Sequence, residues 1–298
     1  MEFTASAGRF APSPSGDLHL GNLRTAVLAW LFARSTGRRF LLRIEDLDRV
    51  RAGSEAGQIR DLERLGLDWD EPPQRQSDRL ERYQDASGRL RDAGLLYECF
   101  CTRRDIAQAA SAPHSIPGEY PGTCRELTET ERAERRSERP AAWRLRTPLH
   151  RFTVQDELHG SYQGPVDDFV VVRNDGTPAY NLAVVVDDAA QGIDQVVRGD
   201  DLLSSAPRQA ALGSLLGFAT PYYAHVPLAL NPQGQRLAKR DGAVTLSEVG
   251  LDAARGLIFD SLGLPPSLAE ALEAFDPQEL PRGPWVVHPT TVGQEALS

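Results

Sequence analysis

Over the first hundred residues, short apolar runs alternate with segments of helical periodicity. An extended stretch ending at Phe10 runs into Pro12-Ser13-Pro14-Ser15-Gly16, and beyond it Leu20, Leu23, Val27, Leu28 and Leu31 recur at three- and four-residue intervals. That spacing predicts a helix, with Gly37 as its stop signal. Phe40-Leu41-Leu42-Arg43-Ile44 reads as a mostly buried strand, and helices are expected around 54–65 and 79–93. Such alternation predicts an α/β fold, a doubly wound, Rossmann-like parallel sheet. From Tyr97 to about Arg173 the rhythm fails, giving way to three cysteines, a Pro/Gly-rich stretch at 113–122 and an Arg/Glu-rich run at 125–146. It resumes with Ile193-Asp194-Gln195-Val196-Val197-Arg198, a helix opened by Pro207 and ending near Gly217, and a strand around 222–230. The expected plan is a first half of the α/β domain at 1–96, an insertion at 97–173, a second half at 174–243, and a helical C-terminal appendage at 244–298.

Composition narrows the class. A hydrophobic fraction of 41% and a charged fraction of 25% are those of an ordinary globular protein. Apolar runs such as those at 170–172 and 182–186 fall far below the roughly 20 residues of a membrane span. Residues 1–9 lack a basic segment followed by an apolar stretch, so a cytoplasmic protein is expected. Its three cysteines cannot close a disulfide framework and are expected as thiols or metal ligands. The net charge of -9 argues against a general nucleic-acid coat, so an RNA partner must meet a local patch. Of 33 basic residues only Lys239 is a lysine, which singles out a position where a compact ammonium stands in a chain that otherwise uses guanidinium.

Two segments carry the candidate chemistry. The run from Ser13 to Asn22 lies between a strand and the start of a helix, where free N–H groups attract phosphate; Gly21 would admit a nucleotide and His19 can donate to phosphate oxygens. The second, Gln235 to Ala243, is a loop able to bring Lys239 to a phosphate. Taken singly they are a proline-stiffened turn and a solvated charge run. Together, His19-Leu20-Gly21-Asn22 resembles the HIGH motif of class I aminoacyl-tRNA synthetases, and Arg236-Leu237-Ala238-Lys239-Arg240 resembles their KMSKS loop, with Arg236 and Ala238 in place of a lysine and a serine. Arg9 to Gly16, Leu42-Arg43-Ile44-Glu45-Asp46 and Val197 to Ser204 narrow the resemblance, over residues 8–245, to the glutamyl-tRNA synthetase group. About 55 residues follow the loop, too few for the anticodon-binding portion of the full-length enzymes. The chain therefore resembles the truncated branch of that family.

That resemblance implies activation of L-glutamate by Mg-ATP as glutamyl-adenylate and transfer to the queuosine base in the tRNA(Asp) anticodon loop, by a monomer. The alternatives are a short synthetase charging the tRNA 3' end and a catalytically silent tRNA-binding paralogue. Arg9, Ala11, Ser13, Glu45, Tyr180 and Arg198 map to the glutamate site. Arg9 and Arg198 are the candidates for carboxylates, in either order, Glu45 for the ammonium and Tyr180 for a hydroxyl contact. The ordinary reading of Glu45 is a strand-end ion pair with Arg43 or Arg49. His19 and Lys239 are the candidate catalytic residues, neither a covalent nucleophile, and His19, Gly21, Asn22 and Lys239 would bind ATP. Cys99, Cys101 and Cys124 suggest structural zinc, or else a small core of reduced thiols. General chemistry favours His114 as fourth ligand; the resemblance favours Tyr120. The 125–146 run, with seven arginines and five glutamates, is expected as a solvated helix with i,i+4 pairs.

Overall fold

The computed structural model describes residues 6–102, 104–106, 120–237 and 244–287. His114 and the stretch 238–243, with Lys239, lie outside them. In chain order the elements are β1 (Ala7–Phe10), α1 (Leu20–Ser35), β2 (Arg39–Ile44), α2 (Ser54–Leu65), β3 (Gln74–Arg75), α3 (Leu80–Asp92), β4 (Leu96–Cys99), α4 (Glu129–Glu138), β5 (Ala142–Leu145), β6 (Arg151–Asp156), β7 (Gly160–Pro165) and β8 (Val170–Val172). They continue with α5 (Tyr180–Ala190), β9 (Ile193–Gly199), α6 (Ala206–Leu215), β10 (Tyr222–Val226), β11 (Ala229–Leu230), α7 (Leu246–Val249), α8 (Leu251–Asp260), α9 (Leu268–Ala274) and β12 (Trp285–Val286). Among the described residues no helix is long and apolar enough to cross a membrane.

The main sheet has the strand order β3-β2-β1-β9-β10-β6-β7, parallel throughout except at its β6–β7 edge. From β1 the chain goes to β2 on one side, while β9 occupies the other. The crevice between such strands, beyond their carboxyl ends, is where open α/β sheets bind ligands. Helix α1 is apolar nearly all round because it is covered on both sides, by the sheet and by the C-terminal helices. It ends at Thr36, with Gly37 in the left-handed conformation (φ 68°) that lets the chain turn into β2.

Two stretches depart from the expected plan. Residues 151–165, assigned to the insertion, form the β6–β7 hairpin and extend the main sheet. Their alternation of buried Val154 and Asp156 with exposed neighbours is that of an edge hairpin, a pattern without the helical spacing that marked the sheet elsewhere. Among the other described residues of the interruption, β4, β5 and β8 form a separate antiparallel sheet. The C-terminal helices are also not an appendage in packing terms: Leu246, Val249, Ala254, Ile258, Phe259 and Ala271 share the core of α1. Of the solvated helix expected at 125–146, residues 129–138 form α4, which buries none of its residues and opens with a Thr128/Glu131 capping box. Its ion pairs join Glu129 to Arg132 and Arg136 rather than running i,i+4, and 142–145 form β5 instead, with Arg144 buried.

Candidate active site

Three strands and one helix deliver the charged side chains. Arg9 stands on β1, Arg43 on β2 with Glu45 just past its end, Arg198 on β9, and Tyr180 and Asp188 on α5. Arg9 is buried; its Nε donates to Asp188 Oδ1 at 3.1 Å and its Nη1 to the Val197 carbonyl at 3.4 Å. Arg43, wholly buried, donates through Nη1 to Asp188 Oδ1 and Gln191 Oε1, both at 2.7 Å. Its Nη2 lies 3.4 Å from Glu45 Oε1, so the ion pair that was the ordinary reading of Glu45 is present. Burial would raise the Asp188 pKa, but Arg9 and Arg43 hold that carboxyl below the usual range. Burial prevails at Glu45, whose pKa is raised against the pull of Arg43 and Arg9. A substrate ammonium would relieve that strain on its carboxylate.

The remaining glutamate candidates surround this cluster. Tyr180 opens α5 and is 45% exposed, with Glu45, Arg198, Arg9 and Asp188 all acting electrostatically on its hydroxyl. Ala11 and Ser13 are half-buried in the turn after β1, which meets the end of β2 through a 2.9 Å bond from Glu45 N–H to the Pro12 carbonyl. Gln58 steadies that turn by donating to the Ser13 and Gly16 carbonyls at 3.0 and 2.7 Å. Asp188, which organises the site together with Arg43, was not picked out by sequence reasoning, and Arg43 was named only as an ion-pair partner of Glu45. The available signal was two adjacent aspartates, Asp187 and Asp188, closing an apolar helical run.

At the N-terminus of α1, His19 is the cap. Its Nδ1 accepts the Asn22 N–H at 3.2 Å, and Asn22 Oδ1 accepts the His19 N–H at 3.3 Å. Burial and the nearby Arg236 charge lower the His19 pKa to about 4, so the ring is neutral at physiological pH. With Nδ1 accepting, the proton sits on Nε2, which is the donor left for a phosphate. A Cβ on Gly21 would stand 2.8 Å from the Ala229 Cβ and 3.1 Å from the His19 ring, so packing alone already demands glycine there. Leu237, at the near edge of the 238–243 stretch, is buried, and Thr245 beyond it bridges to His19. The flanks of the two motifs therefore meet.

A second cluster lies in the antiparallel sheet region. The sulfurs of Cys99, Cys101 and Cys124 fall within 4.8 Å of one another, with Cys101 and Cys124 3.5 Å apart. Tetrahedral zinc with bonds of about 2.3 Å places its sulfurs about 3.8 Å apart, so the set can hold such an ion. The Tyr120 hydroxyl is 3.3 Å from Cys99 Sγ and 3.6 Å from Cys101 Sγ, in position to complete it. Arg144 donates to Cys99 Sγ at 3.2 Å and stacks 3.6 Å from the centre of the Tyr120 ring, a positive charge that would offset metal-bound thiolates.

Comparison with known proteins agrees with this fold. Residues 7–264 match the family of class I tRNA synthetases (E and Q), catalytic domain, which sets the class of the protein. A glutamyl-Q tRNA(Asp) synthetase of Nocardia farcinica is 64% identical over 288 residues, covering 94% of this chain and 93% of that protein. One from Cutibacterium acnes is 55% identical over 96% of this chain and 82% of its own. A crystal structure of a glutamate tRNA ligase from Elizabethkingia meningosepticum, in complex with its amino acid, superposes with a TM-score of 0.81 at 28% identity, over 97% of this chain and 68% of that one. The chain belongs to the glutamyl-Q tRNA(Asp) synthetase family within this class.

Proposed function

We propose that this chain activates L-glutamate with Mg-ATP and transfers the glutamyl group to the queuosine base in the anticodon of tRNA(Asp), in the cytoplasm and as a monomer. The observation that carries the reading is the meeting of Arg9, Glu45, Tyr180 and Arg198 at the carboxyl ends of β1, β2 and β9, in the same crevice as the start of α1. In this reading the two arginines take the glutamate carboxylates and Glu45 its ammonium. One oxygen of the substrate α-carboxylate attacks the α-phosphorus, and pyrophosphate leaves with the bonding electron pair. Positioning and charge stabilisation drive the displacement. His19 Nε2–H and the Lys239 ammonium supply that charge complementarity, with Gly21 and Asn22 shaping the nucleotide side. In the second step a nucleoside hydroxyl attacks the acyl carbon and AMP departs.

The acceptor has room beside the glutamate site. A cleft of about 400 Å³ is lined by Asp46, Ser77, Tyr83, Gln84, Asp175 and Thr177, and Asp46 directly follows Glu45. Zinc held by Cys99, Cys101, Cys124 and Tyr120 would brace the β4-β5-β8 region and take no part in either step.

The deciding experiment supplies labelled glutamate and ATP with tRNA(Asp) anticodon stem-loops carrying queuosine or guanosine. The queuosine stem-loop is expected to be labelled and the guanosine one not. Labelling only of the 3' adenosine of intact tRNA(Glu) would make the protein a short 3'-end synthetase instead.

A further inference from the structure

We propose that Asp156 and His225 form a positioning relay that orients the Arg198 guanidinium toward a glutamate carboxylate. The inference rests on the assignment of Arg198 to the glutamate site. His225 and Arg198 are register partners on the parallel strands β10 and β9, and His225 is wholly buried. Asp156, 2% exposed at the end of β6, uses Oδ1 to accept the N–H groups of Leu158 and His159 at 2.9 and 3.0 Å. Its Oδ2 accepts the His225 N–H at 3.1 Å and faces His225 Nδ1 at 2.5 Å.

These contacts leave the imidazole one tautomer. A carboxylate can only accept, so the proton of the neutral ring is on Nδ1. Nε2 then carries the lone pair, and it faces the Arg198 Nε–H at 3.0 Å. The other end of the guanidinium is fixed by Gln209 Oε1 at 2.7 Å from Nη1 and the Leu202 carbonyl at 3.3 Å from Nη2. Five guanidinium N–H groups less these three bonds leave two for a ligand.

The choice of partners is the telling feature. Arg9 and Arg43 share Asp188, whereas among the described residues Arg198 has no carboxylate within ion-pair distance, although it is only 6% exposed. It is held by an imidazole, an amide and a backbone carbonyl. A buried guanidinium with neutral acceptors alone keeps its charge free for an anion, and the balancing carboxylate, Asp156, stands one imidazole away. Replacing that carboxylate by an amide whose oxygen stays on the Leu158 and His159 N–H groups would turn a donor toward Nδ1, move the ring proton to Nε2 and set it against the Arg198 Nε–H.

The test measures glutamate-dependent ATP–pyrophosphate exchange by the full chain, with separate KM values for glutamate and ATP and a melting curve for each variant. Arg198→Ala, His225→Leu and Asp156→Asn should each raise the glutamate KM by about tenfold or more, the scale of a lost hydrogen bond to a charged group, with the ATP KM unchanged. His225→Gln, whose amide oxygen can take the place of Nε2, should raise it far less than His225→Leu. With glutamine at 225 there is no tautomer to set, so adding Asp156→Asn should cost much less than it does in the wild type. If Arg198→Ala raises the glutamate KM while His225→Leu and Asp156→Asn do not, the relay is overturned and the Arg198 assignment stands. An unchanged glutamate KM in Arg198→Ala removes the assignment and the relay together. An equal Asp156→Asn penalty with histidine or glutamine at 225, tracking a loss of melting temperature, makes Asp156 a structural residue and also overturns the relay.

Discussion

Thr245 forms an antiparallel bridge with His19, and next to it the Leu20 N–H donates to the Val244 carbonyl at 2.9 Å. On the near side, Arg236 bridges to Leu230 and its charge acts on His19. The stretch that carries Lys239 is thus held on its far side by the start of α1 and on its near side by β11. Lys239→Ala is expected to slow glutamate-dependent pyrophosphate exchange by about 100-fold, close to 3 kcal/mol of transition-state stabilisation, with little change in melting temperature. Lys239→Arg should recover only part of the rate, because the planar fork differs in reach from an ammonium. Exchange at the wild-type rate in Lys239→Ala would take this residue out of the mechanism.

Glu45 predicts a pH dependence of substrate affinity. Burial raises its pKa, so on acidification it takes up a proton at a higher pH than an ordinary glutamate. The protonated form has lost the charge that an ammonium needs. The glutamate KM should therefore climb as pH falls through that raised value and level off above it. Stability runs the other way: a raised carboxyl pKa favours the folded state most below the unfolded pKa, and the advantage is lost as pH rises through the folded one. Glu45→Gln should raise the neutral-pH KM and remove its acid-side slope; a slope that persists in this variant belongs to another group.

Gly21→Ala tests the packing at the start of α1. Its new Cβ, 2.8 Å from the Ala229 Cβ, forces α1 away from β11, an overpacking cost of about 2 kcal/mol. A lowered melting temperature together with reduced exchange is expected, because the same shift moves His19. Wild-type stability would show that the contact relaxes without consequence.

For the cysteine cluster the expected outcome is about one zinc per chain in protein purified without chelator, and its loss in Cys124→Ser with a lower melting temperature. Tyr120→Phe and His114→Ala then identify the fourth ligand by which of them weakens retention of the metal. Fully folded wild-type protein without metal would leave the cluster as reduced thiols packed with Tyr97 and Phe100.

The sequence was most legible where one residue pattern is tied to one local geometry. Residues 54–65 were expected as a helix and form α2 with those bounds, since their apolar positions face one side. Arg9, Glu45 and Arg198 could be proposed for the site because they lie in motifs that keep their order in a chain. Asp188 and Asp156 could not. Each has its effect only through partners far away in sequence, Asp188 through Arg9 and Arg43, Asp156 through His225, and nothing local to an aspartate announces such partners. The β6–β7 hairpin was hidden for a related reason: which sheet an edge strand joins is settled by the strand it meets, here β10, some seventy positions later.

The way α1 is covered has a consequence for the order in which the protein can mature during its synthesis. Phe32, on the outer side of that helix, meets the edge of the Phe275 ring with centroids 5.1 Å apart. Because the ribosome delivers the chain from its N-terminus, α1 and the early strands emerge long before α8 and α9 exist to cover that side. The nascent chain thus displays a large apolar face through most of its elongation, a natural substrate for holding chaperones. Only when α8 and α9 are released can that side of α1 be covered.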